Sequence, residues 1–264
     1  MKNPVIFLKA FLFFVWSLIT IPPQIAVMLF HRGPNAYTIP HLWQKGVCRI
    51  FGLKVVIEGT PITEQQCLFI INHVSYLDIP VIGSVLRASF IAKKEVSGWP
   101  VFGFLSRLQQ TAFISRSRGD AQREKNALSN MLDEGKSLIL FPEGTSTDGR
   151  NVAPFKSSLF SMTLDGSRSN LVIQPVTLKV EQVDGKNPAE QSARDIYAWY
   201  GDMTMPPHLS GFAASRGAVV KLIFHPAIKP SDYDDRKGLA DACWNMVQSG
   251  LEEKKGTVAS GMAA

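Results

Sequence analysis

Cysteine is scarce in this chain. Cys48, Cys67 and Cys243 are the three in 264 residues, with neither an even count nor paired spacing, so neither a disulfide framework nor a zinc-ligand pattern is supported. A reducing, cytoplasmic setting is the simpler reading. Also missing are a G-x-S-x-G elbow, an H-E-x-x-H pair and a G-x-G-x-x-G loop, which removes the signatures of serine hydrolases, zincins and dinucleotide enzymes. The stretch DEGKS at 133–137 ends like a phosphate-binding loop, but Asn130 stands where that loop needs its first glycine. No internal repeat or low-complexity tract is present, and no basic-aromatic module points to nucleic acid as a partner.

What is abundant is apolar. The hydrophobic share is 45%, enough for one large domain with a core. Lys and Arg total 28 against 22 Asp and Glu, a net charge of +6, which favours an anionic partner such as a membrane face or an acidic carrier protein. Between Lys9 and His31 the chain reads AFLFFVWSLITIPPQIAVMLF without a formal charge, about enough to cross a bilayer core of roughly 30 Å. Residues 1–50 are therefore expected to be a membrane-anchoring helical region and 51–264 the globular domain. A cleaved signal peptide is disfavoured, because no small-residue cleavage pattern closes the run. Pro22-Pro23 should break a straight helix, leaving two short helices in one leaflet and one kinked span as alternatives.

Beyond residue 54, short β-branched or aromatic runs alternate with segments of helical character. Strands are expected at KVVIE, CLFII, SFIAK, TAFIS, SLILF, LVIQPVTLKV and VVKLIF. Helices are expected near 78–87, 100–108, 120–134, 156–164 and 231–252, the last capped by Ser231. This alternation predicts an α/β fold, a largely parallel sheet flanked by helices on both faces. The segment 184–217 reads as a long irregular excursion, and His225, in an apolar strand, as a structural histidine.

The stretch LFIINHVSYLD, residues 68–78, runs a buried strand into Asn72 and His73, with Asp78 five residues after the histidine. On one continuous helix those two side chains would sit roughly 140° apart and never meet. They meet only if His73 lies in a strand-to-helix turn at the carboxyl end of a parallel sheet, where open α/β sheets bind ligands. There Asp78 can orient the imidazole, and His73 becomes a general base; lacking a serine-nucleophile signature, the chain would deprotonate a substrate hydroxyl directly. LILFPEGTSTDG repeats the design, with Glu143, Gly144, Thr145 and Ser146 at a strand exit suited to an anion. TAFISRSRGD brings Arg116 and Arg118 to a third exit, where they suit phosphate or carboxylate or are simply solvated.

NHVSYLD is similar to the N-H-x-x-x-x-D block of the glycerolipid acyltransferases, the lysophosphatidic acid acyltransferase family. FISR, FPEGT and VIQPVTL at 172–178 resemble the second, third and fourth blocks, in the family's order over roughly residues 54–230. The resemblance implies acyl transfer from acyl-CoA or acyl carrier protein, as acyl-donor substrates and with no cofactor or metal, to the hydroxyl of a lyso-lipid at a membrane. The cytoplasmic face of a bacterial inner membrane is the expected location. It also implies that His73 is the base, that Asp78 orients it, and that Arg116, Glu143, Gly144 and Thr145 contact the acceptor.

Two departures bear on the acceptor. Members that form phosphatidic acid commonly read E-G-T-R-S, where this chain has Ser146, and PFKSSLF at 154–160 lacks their Lys-Gly. FPEGTSTDG, PFKSSLF and AWYGDM at 198–203 look more like the branch that acylates lyso-ornithine lipid. Asp148 and Asp202 would then face the ornithine ammonium, or be ordinary surface carboxylates. A membrane-attached lipid-binding or scaffold protein of the same fold is the rival reading, against which the intact His73 and Asp78 argue.

Overall fold

The computed structural model describes residues 4–31, 33–115, 128–164 and 170–252. Seven strands form one sheet: β1 (Leu53–Glu58), β2 (Cys67–Ile71), β3 (Ser89–Lys93), β4 (Ala112–Ile114), β5 (Leu138–Leu140), β6 (Val172–Val183) and β7 (Ala218–Phe224), in the order β1-β7-β6-β2-β5-β3-β4. All pairings are parallel except β6 with β7. Each expected strand is present, and the sheet is largely parallel as its near-continuous apolar runs require.

β2 lies at the centre and is buried along its whole length. Cys67, Phe69 and Ile71 pack on one face with Val81, Ile82, Leu86, Tyr197 and Phe212. Leu68 and Ile70 pack on the other with Leu239, Ala240, Cys243 and Phe160. The period-2 alternation of a strand thus serves two cores, and helices cover both faces of the sheet.

Several helices depart from expectation for local reasons. The last one runs Arg236–Leu251, and its cap is Asp235, whose Oδ1 accepts from Lys237 N and Gly238 N at 2.8 Å each; Ser231 instead sits in a 3₁₀ turn, Pro230–Asp232. At 156–164 the ordered piece is a 3₁₀ turn, Ser157–Phe160. The 184–217 excursion contains two helices, Gln191–Tyr197 and Met205–Ala214. Of the helix expected at 120–134, residues 128–133 are helical and residues 120–127 lie outside the described residues.

The N-terminus holds the largest surprise. Helix α1 (Pro4–Phe30) runs without interruption through Pro22 and Pro23 and is long and apolar enough to cross a membrane. Proline removes a backbone donor, and a helix survives this where neighbours pin it. Before the pair, Trp16 Nε1 donates to Trp43 O at 3.0 Å and Trp43 Nε1 to Ser17 Oγ at 3.0 Å. After it, Gln24 Nε2 donates to Ala36 O and Leu108 O, at 3.1 and 3.0 Å. The partner helix α2 (Thr38–Phe51) has glycine at position 46, where a Cβ would run into the Trp16 indole.

Polarity on α1 is inverted relative to a soluble helix. Its buried residues are Ser17, Thr20 and Gln24, whereas Phe7, Phe11, Phe14, Leu18, Ile19 and Phe30 are exposed. Contacts also reach the start of the helix, where Lys9 Nζ donates to Ser215 O at 2.7 Å. A helix of about 40 Å is thereby held against the domain from Lys9 to Gln24.

Candidate active site

The register of the sheet assembles the site. β2 and β5 pair Ile70 with Leu140, so His73 and Glu143 leave adjacent strands at the same level, three residues on. His73 N donates to Glu143 Oε1 at 2.6 Å, and Ala153 N donates to Glu143 Oε2 at 2.7 Å. Asn72 turns the other way: its Nδ2 donates to Leu178 O at 2.9 Å and its Oδ1 accepts from Leu178 N at 2.7 Å, which clamps the end of β2 to β6. His73 therefore leaves a strand held on both sides.

Asp78 opens the short helix α3 (Asp78–Gly83) and is fully buried. Its Oδ2 accepts from His73 Nδ1 at 2.8 Å and from the backbone N–H groups of Val74 and Ser75 at 2.7 and 3.0 Å. Its Oδ1 accepts from Tyr197 Oη at 2.9 Å. Four donors on one carboxylate match the acceptor-only ionised form. Because Nδ1–H donates to Asp78, Nε2 is the ring nitrogen left for chemistry. The imidazole stacks on Phe141, with ring centroids 4.2 Å apart and planes 20° from parallel, and keeps 20% of its side chain exposed.

His73 lines a cavity of about 1650 Å³ whose other walls include Ile6, Ala10 and Phe13 of α1 together with Gly144, Thr145, Ser146 and Lys156. Sites for compact ligands occupy roughly 300–1,000 Å³, so this space suits long apolar chains. Glu143 is not part of that wall: both its oxygens are engaged by backbone N–H groups, and burial pushes its carboxyl up to about 7 against the lowering effect of those bonds. It brackets the His73 turn to the loop at Ala153.

Gly144 ends a turn in which its N–H donates to Phe141 O at 3.1 Å, with φ at +70°. Glycine suits that φ, and the flexible end of Lys156 lies against the turn where a Cβ would be. Ser146 Oγ donates to Trp199 O, and Trp199 N donates to Val74 O at 3.0 Å. Thr147 N donates to His73 O at 2.9 Å. Three loops are thus sewn together around the imidazole, and Tyr76, Trp199 and Tyr200 form an aromatic wall of the cavity. Tyr76 Oη is paired with His208 Nδ1 at 2.8 Å and its ring meets Trp199 edge to face, centroids 5.8 Å apart.

The expected site residues His73, Asp78, Glu143, Gly144, Thr145 and Ser146 come together here; Arg116 and Arg118 lie outside the described residues. The two acidic candidates for an ammonium do not face this cavity. Asp148 lines a separate cleft of about 250 Å³ with Arg150 and Arg194, and bonds Arg150 Nε and, at 3.1 Å, Arg150 N. Asp202 is exposed. His225 is satisfied structurally, its Nε2 lying 2.8 Å from Thr177 Oγ1. Sequence reasoning missed Tyr197 and Lys156. Lys156 was in view inside PFKSSLF, whereas Tyr197, one residue before AWYGDM, gave no signal.

Comparison with known proteins shows the family of the chain. The family model described as Acyltransferase matches residues 54–179. The lyso-ornithine lipid O-acyltransferase of Rhodobacter capsulatus is 35% identical over 214 residues, covering 79% of this chain and 75% of that protein. The 1-acyl-sn-glycerol-3-phosphate acyltransferase of Neisseria meningitidis serogroup B is 30% identical over 234 residues, covering 83% and 87%. The crystal structure of the 1-acyl-sn-glycerophosphate acyltransferase PlsC from Thermotoga maritima shares the fold, with TM-score 0.69 and 19% identity over 100% of this chain and 98% of that one. The chain belongs to the acyltransferase family.

Proposed function

We propose that this enzyme transfers an acyl chain from acyl-CoA or acyl carrier protein to the free hydroxyl of a lyso-lipid, with His73 as general base and lyso-ornithine lipid as the preferred acceptor. The observation that carries the reading is the His73–Asp78 pair, 2.8 Å apart, at the wall of a large apolar cavity shared with α1. His73 Nε2 takes the proton of the acceptor hydroxyl as its oxygen attacks the thioester carbonyl. The tetrahedral intermediate collapses, the C–S bond breaks, and the imidazolium returns its proton to the departing sulfur. Asp78 fixes the tautomer and stabilises the transient cation.

Support for the acceptor comes from the relatives named for lyso-ornithine lipid and from the Tyr76, Trp199 and Tyr200 wall, whose ring faces suit an ammonium. Lysophosphatidic acid is the second candidate, favoured by the Neisseria relative and by Lys156 in the cavity. The exposed apolar side of α1 lies in the bilayer in this reading, with the domain on the cytoplasmic face where acyl donors are supplied. The test offers both lyso-lipids side by side, each with acyl-CoA and with acyl carrier protein, to the purified full chain. Faster acylation of lysophosphatidic acid at matched donor concentration would reverse the acceptor assignment, and no transfer to either would end the reading.

A further inference from the structure

We propose that residues 99–104, WPVFGF, form a second bilayer-contacting element beside α1, so that the mouth of the cavity is bordered by two lipid-embedded pieces. The inference rests on the reading of α1 as lipid-facing. Trp99, Val101 and Phe104 are 38%, 61% and 44% exposed, an apolar cluster at the surface that folding leaves uncovered. Val101 has φ 64° and ψ −59°, and Phe102 N donates to Pro100 O at 2.7 Å. This is a γ-turn of the strained, positive-φ kind, at a β-branched residue that disfavours it most. The turn holds an apolar side chain 61% exposed, and insertion into hydrocarbon would cover it.

Three further observations favour lipid over another occupant. Trp99, Pro100 and Val101 line the same cavity as Ile6, Ala10 and Phe13 of α1, so the loop and the helix border one largely apolar space. Lys94 and Arg107, both exposed, flank the segment, as cations flank elements that sit in anionic headgroups; exposed Glu95 is the one acid among them. Trp99 supplies the amphipathic ring that settles at that depth.

The three native cysteines are buried, so a cysteine introduced at the surface can be labelled selectively with an environment-sensitive NBD fluorophore. Val101→Cys, Phe11→Cys on α1 and Lys186→Cys on a remote turn would be labelled in the full chain and mixed with phosphatidylglycerol–phosphatidylethanolamine vesicles carrying doxyl lipid. The expected result is a blue shift with quenching at 101 and 11, and neither at 186. A label at 101 that stays aqueous while the one at 11 is quenched overturns the second element and leaves α1 intact. If neither is quenched, the membrane reading falls as well. A blue shift at 101 without vesicles, growing with protein concentration, assigns the patch to a second copy instead and also overturns the proposal. As a functional check, Val101→Asp should weaken vesicle binding severalfold without changing the melting temperature; unchanged binding counts against the element.

Discussion

Tyr197 donates its hydroxyl to Asp78 Oδ1 at 2.9 Å from a helix 119 positions further along the chain, and it is buried. Removing that donor leaves a buried carboxylate oxygen without its partner, a loss of about 1–3 kcal/mol. Tyr197→Phe is therefore expected to lower kcat by about tenfold with KM little changed, since the tyrosine acts through Asp78 and meets no substrate. Steady-state kinetics separates this from a rise in KM at constant kcat, which would mean that the tyrosine shapes the binding cavity.

His73→Ala should lose about 10²- to 10⁴-fold in turnover, the usual worth of a general base. Its melting temperature should stay close to wild type, because the ring is partly exposed and only stacks on Phe141. Asp78→Asn should lose activity and stability together, because an amide nitrogen would face one of the four donors now converging on the carboxylate. Turnover assays paired with thermal melts distinguish the two patterns.

Glu143 gives a pH dependence whose sign is fixed. Burial raises its folded pKa from an ordinary 4.5 to about 7, so its stabilising contribution is complete below about 4.5 and disappears as pH rises through about 7. The melting temperature of the wild type should fall across that interval more steeply than that of Glu143→Gln. The variant should be less stable at pH 5, since its amide nitrogen opposes the N–H of His73 or Ala153. Parallel melting curves from pH 5 to 8 would show that Glu143 does not titrate there.

Trp199→Ala should slow lyso-ornithine acylation about twofold to fivefold, the worth of a cation–π contact of roughly 0.5–1 kcal/mol, and leave lysophosphatidic acid turnover nearly unchanged. Ser146→Arg probes head-group choice only indirectly, because the serine hydroxyl holds the Trp199 carbonyl. Arginine there adds a phosphate ligand and also releases the wall, so total activity should drop with both acceptors. A ratio of the two activities that is the same in Trp199→Ala and wild type would remove the aromatic wall from acceptor choice.

Deleting residues 1–32 is expected to cause aggregation, not simple release from membranes, because Trp16, Ser17 and Gln24 are bonded into the domain. Phe14→Glu with Leu18→Glu on the exposed side should release the chain from membranes in high salt while leaving its melting temperature unchanged. High salt removes attraction due to the +6 net charge. Full sedimentation of that variant with membranes would locate the attachment elsewhere.

The strands and the His73–Asp78 contact were legible because both follow from local rules: β-branched runs bounded by breakers, and a strand exit that lets residues five apart meet. What was hidden depends on partners distant in sequence. The two prolines of α1 read as a break because the bonds from Trp16 and Gln24 that hold the helix run to residues 43, 36 and 108. Asp235 displaced Ser231 as a cap because Pro230 begins a separate turn. Asp148 looked available to a ligand because nothing in the sequence marks Arg150 and the buried Arg194 as its partners. Glu143 was expected at the acceptor, yet register sends its carboxylate to the His73 backbone.

The bond from Lys9 to the carbonyl of Ser215 spans 206 positions, and this sets an order of events during synthesis. At about 5–20 residues per second, Lys9 leaves the ribosome roughly 10–40 s before Ser215, whose carbonyl it binds, has been made. The apolar face of α1 stays exposed even in the finished fold, so completing the chain does not shelter it. The packing of α1 on α2 can thus form early, whereas the Lys9 bond closes only after most of the chain has been made.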